Sequence, residues 1–247
     1  MKKIVSYQFL LFVMIIVISS CSAEQSDSFT SEPGKGGSLA RFTVAGNHLY
    51  SVDNNNLKLF DLANPASPQF TNDIRIGVGI ETIFPKGNNL FIGSQQGMYI
   101  YDISVPSSPN RISDYQHIVS CDPVVVEGNY AYVTLRSENN RCGRWTNELQ
   151  IIDISDLSNP DLIKTYSMNN PKGMGIEDGV LYVCDNGIKV YDATNTPNLQ
   201  YQGFHNISAN DVIINDDVLI VIGNDGLYQY QRVGYDLTFL SVLPSVY

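Results

Sequence analysis

Most of the chain consists of short segments in which hydrophobic and polar residues alternate. The segments His48–Val52 and Leu57–Leu62 are examples, and Gly, Asn and Pro residues mark the turns beside such segments. Alternation with a period of two is typical of β-strands that bury one face, and no window of the sequence shows the longer period of a helix. The pattern predicts an all-β body.

This strand pattern is repeated five times. In each copy a strand follows a turn and carries a bulky residue at the same position, and the spacings between these residues are 41, 41, 50 and 38. Each unit has room for four strands, and four-stranded repeats of about 40–45 residues are typical of propeller blades. We therefore predict a single all-β β-propeller of about five four-stranded antiparallel blades over residues 38–247. We expect the ring to close on its own, with completion by a partner as the alternative. The matching residues are Tyr50, Phe91, Tyr132, Tyr182 and Ile220.

The third unit contains the segment Leu149–Pro160, which has the sequence LQIIDISDLSNP. This segment resembles the signature of the LVIVD-repeat family, and weaker copies lie at residues 60–68 and 101–109. The fourth copy is shortened, and the fifth has lost the aspartate and the prolines. The resemblance implies a β-propeller and an exported bacterial protein, and it carries over no catalytic residues.

An aspartate ends the third strand in four of the units. A carboxylate at the end of a strand can accept hydrogen bonds from the backbone N–H groups of the following turn. We expect these aspartates to cap turns. Calcium binding is the alternative, although no unit has the spacing of known calcium loops. The four residues are Asp61, Asp102, Asp153 and Asp192.

The first twenty residues have the layout of a secretory signal. Lys2 and Lys3 precede the apolar run Phe9–Ile18, which is short for a membrane-spanning helix. The following Ile-Ser-Ser-Cys resembles a bacterial lipobox, so we predict a lipoprotein signal peptide at residues 1–20 and lipidation of Cys21. A buried helix or a short membrane span is the alternative. Residues 21–37 are rich in Ser, Glu, Asp and Gly, which predicts a flexible acylated tether.

The net charge of the chain limits the kinds of molecule that it is expected to bind. The formal net charge is −10, and it becomes −12 once the two lysines of the signal peptide are removed. An acidic surface disfavours nucleic acid, because phosphate binding needs a basic face. We expect the protein to attach to a membrane through the lipid on Cys21 and to lie in the bacterial cell envelope, at the outer membrane with a periplasmic or surface-facing orientation.

The third unit has about ten extra residues between its second and third strands. This loop contains three arginines and the single tryptophan of the chain, and Arg and Trp often anchor interfaces. We predict that it recognises an envelope protein or a polar ligand, with a tolerated surface insertion as the alternative. The candidate residues are Arg136, Arg141, Arg144 and Trp145.

One residue per blade precedes the first strand and is expected to surround one mouth of the central channel. Three of these residues are charged, and they are candidates for binding a small polar ligand or a cation: Glu81, Asp122 and Lys172. The solvated rim of an ordinary propeller is the alternative. Ala40 and Asn210 occupy the other two positions, with Asp211 beside the last.

Lipidation of Cys21 leaves three cysteines. Cys121 and Cys142 are predicted to lie on the same face of blade three, and a disulfide between them is expected in an oxidising envelope. Cys184 is expected to be a buried thiol, although pairing of Cys121 with Cys184 stays open. A zinc site would need His117 or His205 as a further ligand, and the cysteine spacing does not support it. No metal or cofactor is expected.

The sequence contains no nucleophile elbow, zinc-protease helix or phosphate-binding glycine loop. The first hypothesis is therefore a lipid-anchored binding or interaction module rather than an enzyme. The second is a metal-dependent, hydrolase-like propeller enzyme that uses acidic residues at the channel mouth. A structural component of the envelope is the third.

Overall fold

The computed structural model describes residues 36–117, 123–137 and 146–245. Every described residue belongs to one compact unit of the chain, residues 31–247. Within the described residues there are twenty β-strands, and no helix there is long and apolar enough to cross a membrane.

The strands form five antiparallel sheets of four consecutive strands each. The predicted fold class, a five-bladed propeller with four-stranded blades, is therefore confirmed. Blade 1 contains β1 (Phe42–Ala45), β2 (His48–Val52), β3 (Asn56–Asp61) and β4 (Gln69–Arg75); blade 2 contains β5 (Ile80–Lys86), β6 (Asn89–Ser94), β7 (Gly97–Asp102) and β8 (Asn110–Gln116); blade 3 contains β9 (Val124–Glu127), β10 (Tyr130–Leu135), β11 (Glu148–Asp153) and β12 (Asp161–Ser167); blade 4 contains β13 (Pro171–Glu177), β14 (Val180–Asp185), β15 (Ile188–Asp192) and β16 (Gln200–His205); blade 5 contains β17 (Asp211–Asn215), β18 (Val218–Ile222), β19 (Gly226–Val233) and β20 (Asp236–Pro244).

Each first strand turns tightly into the second strand of its blade. Two-residue hairpins need backbone with positive φ, which glycine adopts without strain. In blades 1 to 3 a glycine supplies it, as Gly46 does with φ 58°, whereas blade 5 uses Asp216 with φ 54°. These turns lie at one end of the ring, which we call the lower face. The loops that lead into the first strands and join the second to the third strands lie at the other end, the upper face.

Neighbouring blades are joined by apolar cores. Within a strand, alternate side chains point to opposite faces of the sheet, so a blade with a neighbour on each side contributes to two junctions. The matching aromatic residues predicted from the repeats are buried at four successive junctions, between blades 1 and 2, 2 and 3, 3 and 4, and 4 and 5. These residues are Tyr50, Phe91, Tyr132 and Tyr182, each at most 1% exposed.

The junction between blade 5 and blade 1 is different. Among the described residues no apolar core joins these two blades, and Ile220, the fifth matching residue, is only partly buried. The segment 36–41 links them instead. Ser38 of this segment bonds to blades 4 and 5, and the carbonyl of Ala40 accepts a 2.9 Å hydrogen bond from the N–H of Ile83 in blade 2. We call this junction the seam.

Candidate functional site

The long loop of blade 3 opens on the upper face, and its base is fastened to the neighbouring blade. The N–H and hydroxyl of Ser137 donate to Oδ1 of Asn147 at 3.1 and 3.3 Å, and Nδ2 of Asn147 donates to the carbonyl of Asn169 at 2.6 Å. Asn169 belongs to the connection between blades 3 and 4. Arg136 is partly buried at this base. The candidate residues Arg141, Arg144 and Trp145 lie outside the described residues.

A buried carboxylate holds the connection to which the loop is tied. The side chain of Asp185 is fully buried and accepts hydrogen bonds from the N–H groups of Asn169 (3.0 Å) and Asn170 (2.5 Å). Nζ of Lys189 lies 2.6 Å from Oδ2 of Asp185, the oxygen that also accepts the 3.0 Å hydrogen bond from Asn169. Burial opposes ionisation, but the hydrogen bonds from Asn170, Lys189 and Asn169 outweigh it and lower the pKa of Asp185. Asp185 was not among the residues predicted from the sequence, where its only signal is its position directly before an Asn-Gly turn.

Two of the residues predicted to surround the channel mouth are in contact. Nζ of Lys172 donates to Oδ1 of Asn210 at 2.7 Å, and Nδ2 of Asn210 donates to Asn224 at 2.7 Å. The hydroxyl of Thr134, at the end of β10, donates to the carbonyl of Lys172 at 2.7 Å. The rim around Lys172 is therefore continuous with the base of the blade-3 loop.

The other candidates at the channel mouth do not join this group. Oε1 of Glu81 accepts a 3.0 Å hydrogen bond from Nε2 of Gln95, so it is engaged within blade 2. Asp122 lies outside the described residues. Of the charged residues predicted around the mouth, Lys172 is therefore hydrogen-bonded to Asn210, and Glu81 is hydrogen-bonded to Gln95 instead of joining them.

Asp211, which the sequence analysis placed only beside the rim, links the seam. Its side chain is 2% exposed and accepts hydrogen bonds from the hydroxyl of Ser38 (2.9 Å) and the N–H of Leu39 (3.0 Å). Burial raises the pKa of Asp211 to about 6, against the opposing effect of these hydrogen bonds. Its carboxylate sits so close to Gly37 and Gly173 that a Cβ atom at either position would collide with it. Gly37, assigned from sequence to the flexible tether, is therefore packed against blade 5.

The centre of the ring contains a cavity of about 370 Å³ that reaches the lower face. Apolar side chains of the first strands line it, including Phe84, Met174 and Ile214, and Gly36 lies at its wall. Glu127 lies at the mouth. Burial raises its pKa, although its carboxylate accepts a 3.1 Å hydrogen bond from the N–H of Gly179.

The repeated aspartates cap turns, as predicted. The N–H two residues further along donates to Oδ1 of each aspartate at 2.7–2.9 Å, and Ser or Thr hydroxyls add a second hydrogen bond at two of them. These hydrogen bonds lower the pKa of Asp153 and of Asp192. In the part of the chain that the structure describes, no group of three or more His, Cys, Asp or Glu residues is placed to hold a metal ion.

Cys184 is a free, fully buried thiol, in agreement with the sequence-based expectation, and it is not paired with Cys121. The histidines named as possible zinc ligands belong to different blades: His117 follows the last strand of blade 2, and Nε2 of His205 contacts the carbonyl of Tyr235 at 3.1 Å. The residues of the predicted disulfide and of the predicted anchor lie outside the described part: Cys121, Cys142 and Cys21.

The repeats of this chain match a known sequence profile. The profile of the LVIVD repeat covers residues 36–74, 82–117 and 120–168, together just over half of the chain. The chain belongs to the LVIVD-repeat family. The matched LVIVD repeats are those of the first three blades, and the fourth and fifth blades carry the shortened or lost motifs. Among curated proteins, none matches the sequence.

Solved structures resemble this LVIVD-repeat propeller in fold. A protein from Lactobacillus plantarum has 13% identity and a TM-score of 0.67, covering 81% of this chain and 69% of its own. A putative 6-phosphogluconolactonase from Bacteroides fragilis has 12% identity and a TM-score of 0.64, covering 82% and 69%. The periplasmic gluconolactonase of Pseudomonas aeruginosa has 10% identity and a TM-score of 0.63, covering 81% and 68%. At these identities the likeness shows the propeller fold alone.

Proposed function

We propose that this LVIVD-repeat propeller is a lipid-anchored binding module of the bacterial cell envelope, which recognises a partner protein or polar ligand through the long loop of blade 3. One observation carries the proposal: the base of this loop is tied to the rim of the channel, through Thr134 to Lys172 and through Asn147 to Asn169. The two ends of the loop are therefore held next to the rim of the channel.

The chemistry of the loop fits recognition. Arginine and tryptophan supply charge-assisted hydrogen bonds and large rigid contact areas, and they are enriched among residues that dominate interfaces. The chain as a whole is acidic, with a net charge of −10. A cationic loop on an acidic body favours an anionic or aromatic group on the partner.

Capture from the native envelope tests the recognition role. The protein with Arg136, Arg144 and Trp145 replaced by alanine is compared with the unchanged protein after chemical cross-linking and mass spectrometry. Lys164→Ala is the matched control, because it removes a basic residue from the outer strand of the same blade. We expect the triple variant to lose a partner that the control retains. Capture of the same proteins by all three forms would contradict the proposed site.

Metabolic labelling with an alkyne fatty acid tests the anchor. We expect the unchanged protein to take up the label and to fractionate with membranes, and Cys21→Ser to do neither, because acylation needs the thiol of Cys21. Labelling that persists in Cys21→Ser would refute lipidation at this residue.

The fold resemblance to lactonases raises catalysis as a second candidate function. The putative lactonase from Bacteroides fragilis and the gluconolactonase from Pseudomonas aeruginosa have the same propeller fold. Proton release from glucono-lactone, with and without added divalent cations, separates the two candidates. Hydrolysis that requires a bound ion and is lost in Asp122→Asn would favour the enzyme, and its absence would favour the binding module.

A further inference from the structure

In the part of the chain that the structure describes, no blade packs over the apolar face that blade 1 turns towards the seam. In blades 2 to 5 one residue of the second strand is buried completely against the blade before it; these residues are Leu90, Ala131, Leu181 and Leu219. The equivalent residue of blade 1 is Leu49, which is only partly buried. Phe60, which pairs with Leu49 across the sheet, is likewise partly exposed, whereas its equivalents Tyr101, Ile152 and Tyr191 are buried.

Blade 5 has a matching face that none of the described blades packs over. Strand register places Ile213 beside Ile220, and Ile222 beside Leu227, on the side away from blade 4. Leu227 is 40% exposed, although its equivalents in the other four blades are at most 1% exposed: Leu57, Met98, Leu149 and Ile188. Apolar residues that form cores at four junctions therefore remain accessible on both sides of the seam.

The two faces enclose a cleft of about 470 Å³. Phe42 and Val44 of β1 form one wall, Ile213 and Ile222 of blade 5 form the other, and Leu39 of the linking segment lies between them. Phe42 is 63% exposed. Cavities of about 300–1,000 Å³ with mostly apolar walls are typical of sites for small molecules. A cleft of this size between two sheets accepts a thin apolar group but not another four-stranded blade.

One end of the cleft is polar. Asn210 lines the cleft there and accepts the hydrogen bond from Nζ of Lys172. Asp211 also lines this end, but its carboxylate already accepts hydrogen bonds from Ser38 and Leu39. Lys172 carries an ammonium group with three donors, so it can turn a donor towards a ligand beside Asn210. The cleft thus has apolar walls, and the ammonium group of Lys172 lies 2.7 Å from Oδ1 of Asn210 at its polar end.

We propose that the seam cleft binds a small amphiphile with a single alkyl chain and an anionic head group, of which a fatty acid is the simplest example. The alkyl chain lies between Val44 and Ile222, and the head group lies beside Asn210 and Lys172. The cleft shares Lys172 with the rim beside the blade-3 loop, whereas Val44 and Ile222 line only the cleft. Variants of Val44 and Ile222 therefore test this site independently of the proposed function.

Calorimetric titration with dodecanoate and dodecanol tests the site, using the chain from residue 22 onward, which contains every described residue. We expect dodecanoate to bind, and shorter alkanoates to lose about three- to fourfold in affinity for each methylene removed, because each buried methylene contributes a fixed free energy. Val44→Trp, which fills the cleft, and Ile222→Ser, which makes its wall polar, should each reduce the affinity at least about tenfold. Leu227→Ser is the matched control, since Leu227 lies on the same face of blade 5 outside the cleft, and it should bind normally.

A further comparison tests the head group. Lys172→Met should weaken the binding of dodecanoate and leave the affinity for dodecanol unchanged. Equal effects on both affinities would contradict the proposed anionic head group. Failure of dodecanoate to bind, or binding that survives both cleft variants, would overturn the site. Concentration-dependent self-association that Leu227→Ser abolishes would show that a second copy covers these faces, and would also overturn it. Circular dichroism confirms that each variant is folded.

Discussion

The hydroxyl of Ser38 donates a 2.9 Å hydrogen bond to the carboxylate of Asp211, across 173 residues of the chain. The same hydroxyl oxygen accepts a 2.8 Å hydrogen bond from the N–H of Met174 in blade 4. Ser38 is 1% exposed and Asp211 is 2% exposed. The ends of the propeller are therefore linked by buried polar contacts at the seam, whereas the other four junctions have apolar cores.

Ser38→Ala should destabilise the propeller by about 2–4 kcal/mol. The substitution leaves the N–H of Met174 without its partner, and it removes the hydrogen bond from Ser38 to Oδ1 of Asp211, which still accepts one from the N–H of Val212. A buried unsatisfied group costs about 1–3 kcal/mol, and a lost hydrogen bond about 1 kcal/mol. Urea unfolding measures the change. Ser241→Ala is the control, because the hydrogen bond of Ser241 to Gln229 is exposed; its effect should stay within about 0.5 kcal/mol. Equal losses in the two variants would argue against a special role of the seam contact.

The raised pKa of Asp211 predicts a pH dependence of stability. Because burial raises this pKa from 3.8 to about 6, the folded state binds the proton more tightly than the unfolded state. The resulting stabilisation is complete below about pH 3.8 and is lost as the pH rises through 6, by a total of about 3 kcal/mol. The difference in unfolding free energy between the unchanged protein and Asp211→Asn should follow this curve between pH 4 and pH 7. A difference that does not vary with pH would contradict the assignment.

Asp185→Asn should cost about 3–5 kcal/mol, since breaking a buried ion pair leaves an uncompensated charge. Lys189→Met should cost less, because the two backbone N–H groups still bind the carboxylate. The pKa of Asp185 is lowered, whereas that of Asp211 is raised. The contribution of Asp185 to the free energy of unfolding is therefore lost as the pH falls below 3.8. Hydrogen exchange gives a local measurement: the amides of Asn169 and Asn170 should exchange faster in Asp185→Asn. Unchanged exchange there would show that Asp185 does not support the loop.

Cys184 should resist alkylation in the native protein and react after unfolding. Burial raises the pKa of its thiol well above the usual value of 9.0, so little reactive thiolate forms, and the side chain has no access to reagent. Iodoacetamide labelling followed by peptide mass spectrometry measures this. Rapid labelling of Cys184 in the native protein would mean that the junction between blades 4 and 5 opens readily.

Peptide mass spectrometry without reduction also tests the predicted disulfide between Cys121 and Cys142.

The five blades and their turns were predictable from the sequence, because they depend on local patterns. Alternation of apolar residues defines a strand, and an aspartate such as Asp153 finds its hydrogen-bond partner only two residues away. The repeat of Tyr50, Phe91, Tyr132 and Tyr182 also indicates stacking, since a blade cannot bury both of its faces alone.

The candidate site was predictable only in part, because spacing identifies a face of the propeller but not the contacts on it. The spacing in the sequence predicted that Lys172 and Glu81 lie at the same mouth of the channel. In the folded chain Lys172 is hydrogen-bonded to Asn210, and Glu81 is hydrogen-bonded to Gln95. The hydrogen-bond partner of each side chain depends on the angles between blades, and the repeat pattern contains no information about these angles.

The strands, the number of blades and the capped turns thus follow from residues that are neighbours in the chain, which is why the sequence alone was sufficient for them. The seam, the burial of Asp211 and the cleft between Val44 and Ile222 arise where the first and last blades meet. These residues are far apart in sequence and belong to the repeats without a neighbour on one side. Their environment depends on how the whole ring curves, and that curvature exists only in the folded chain.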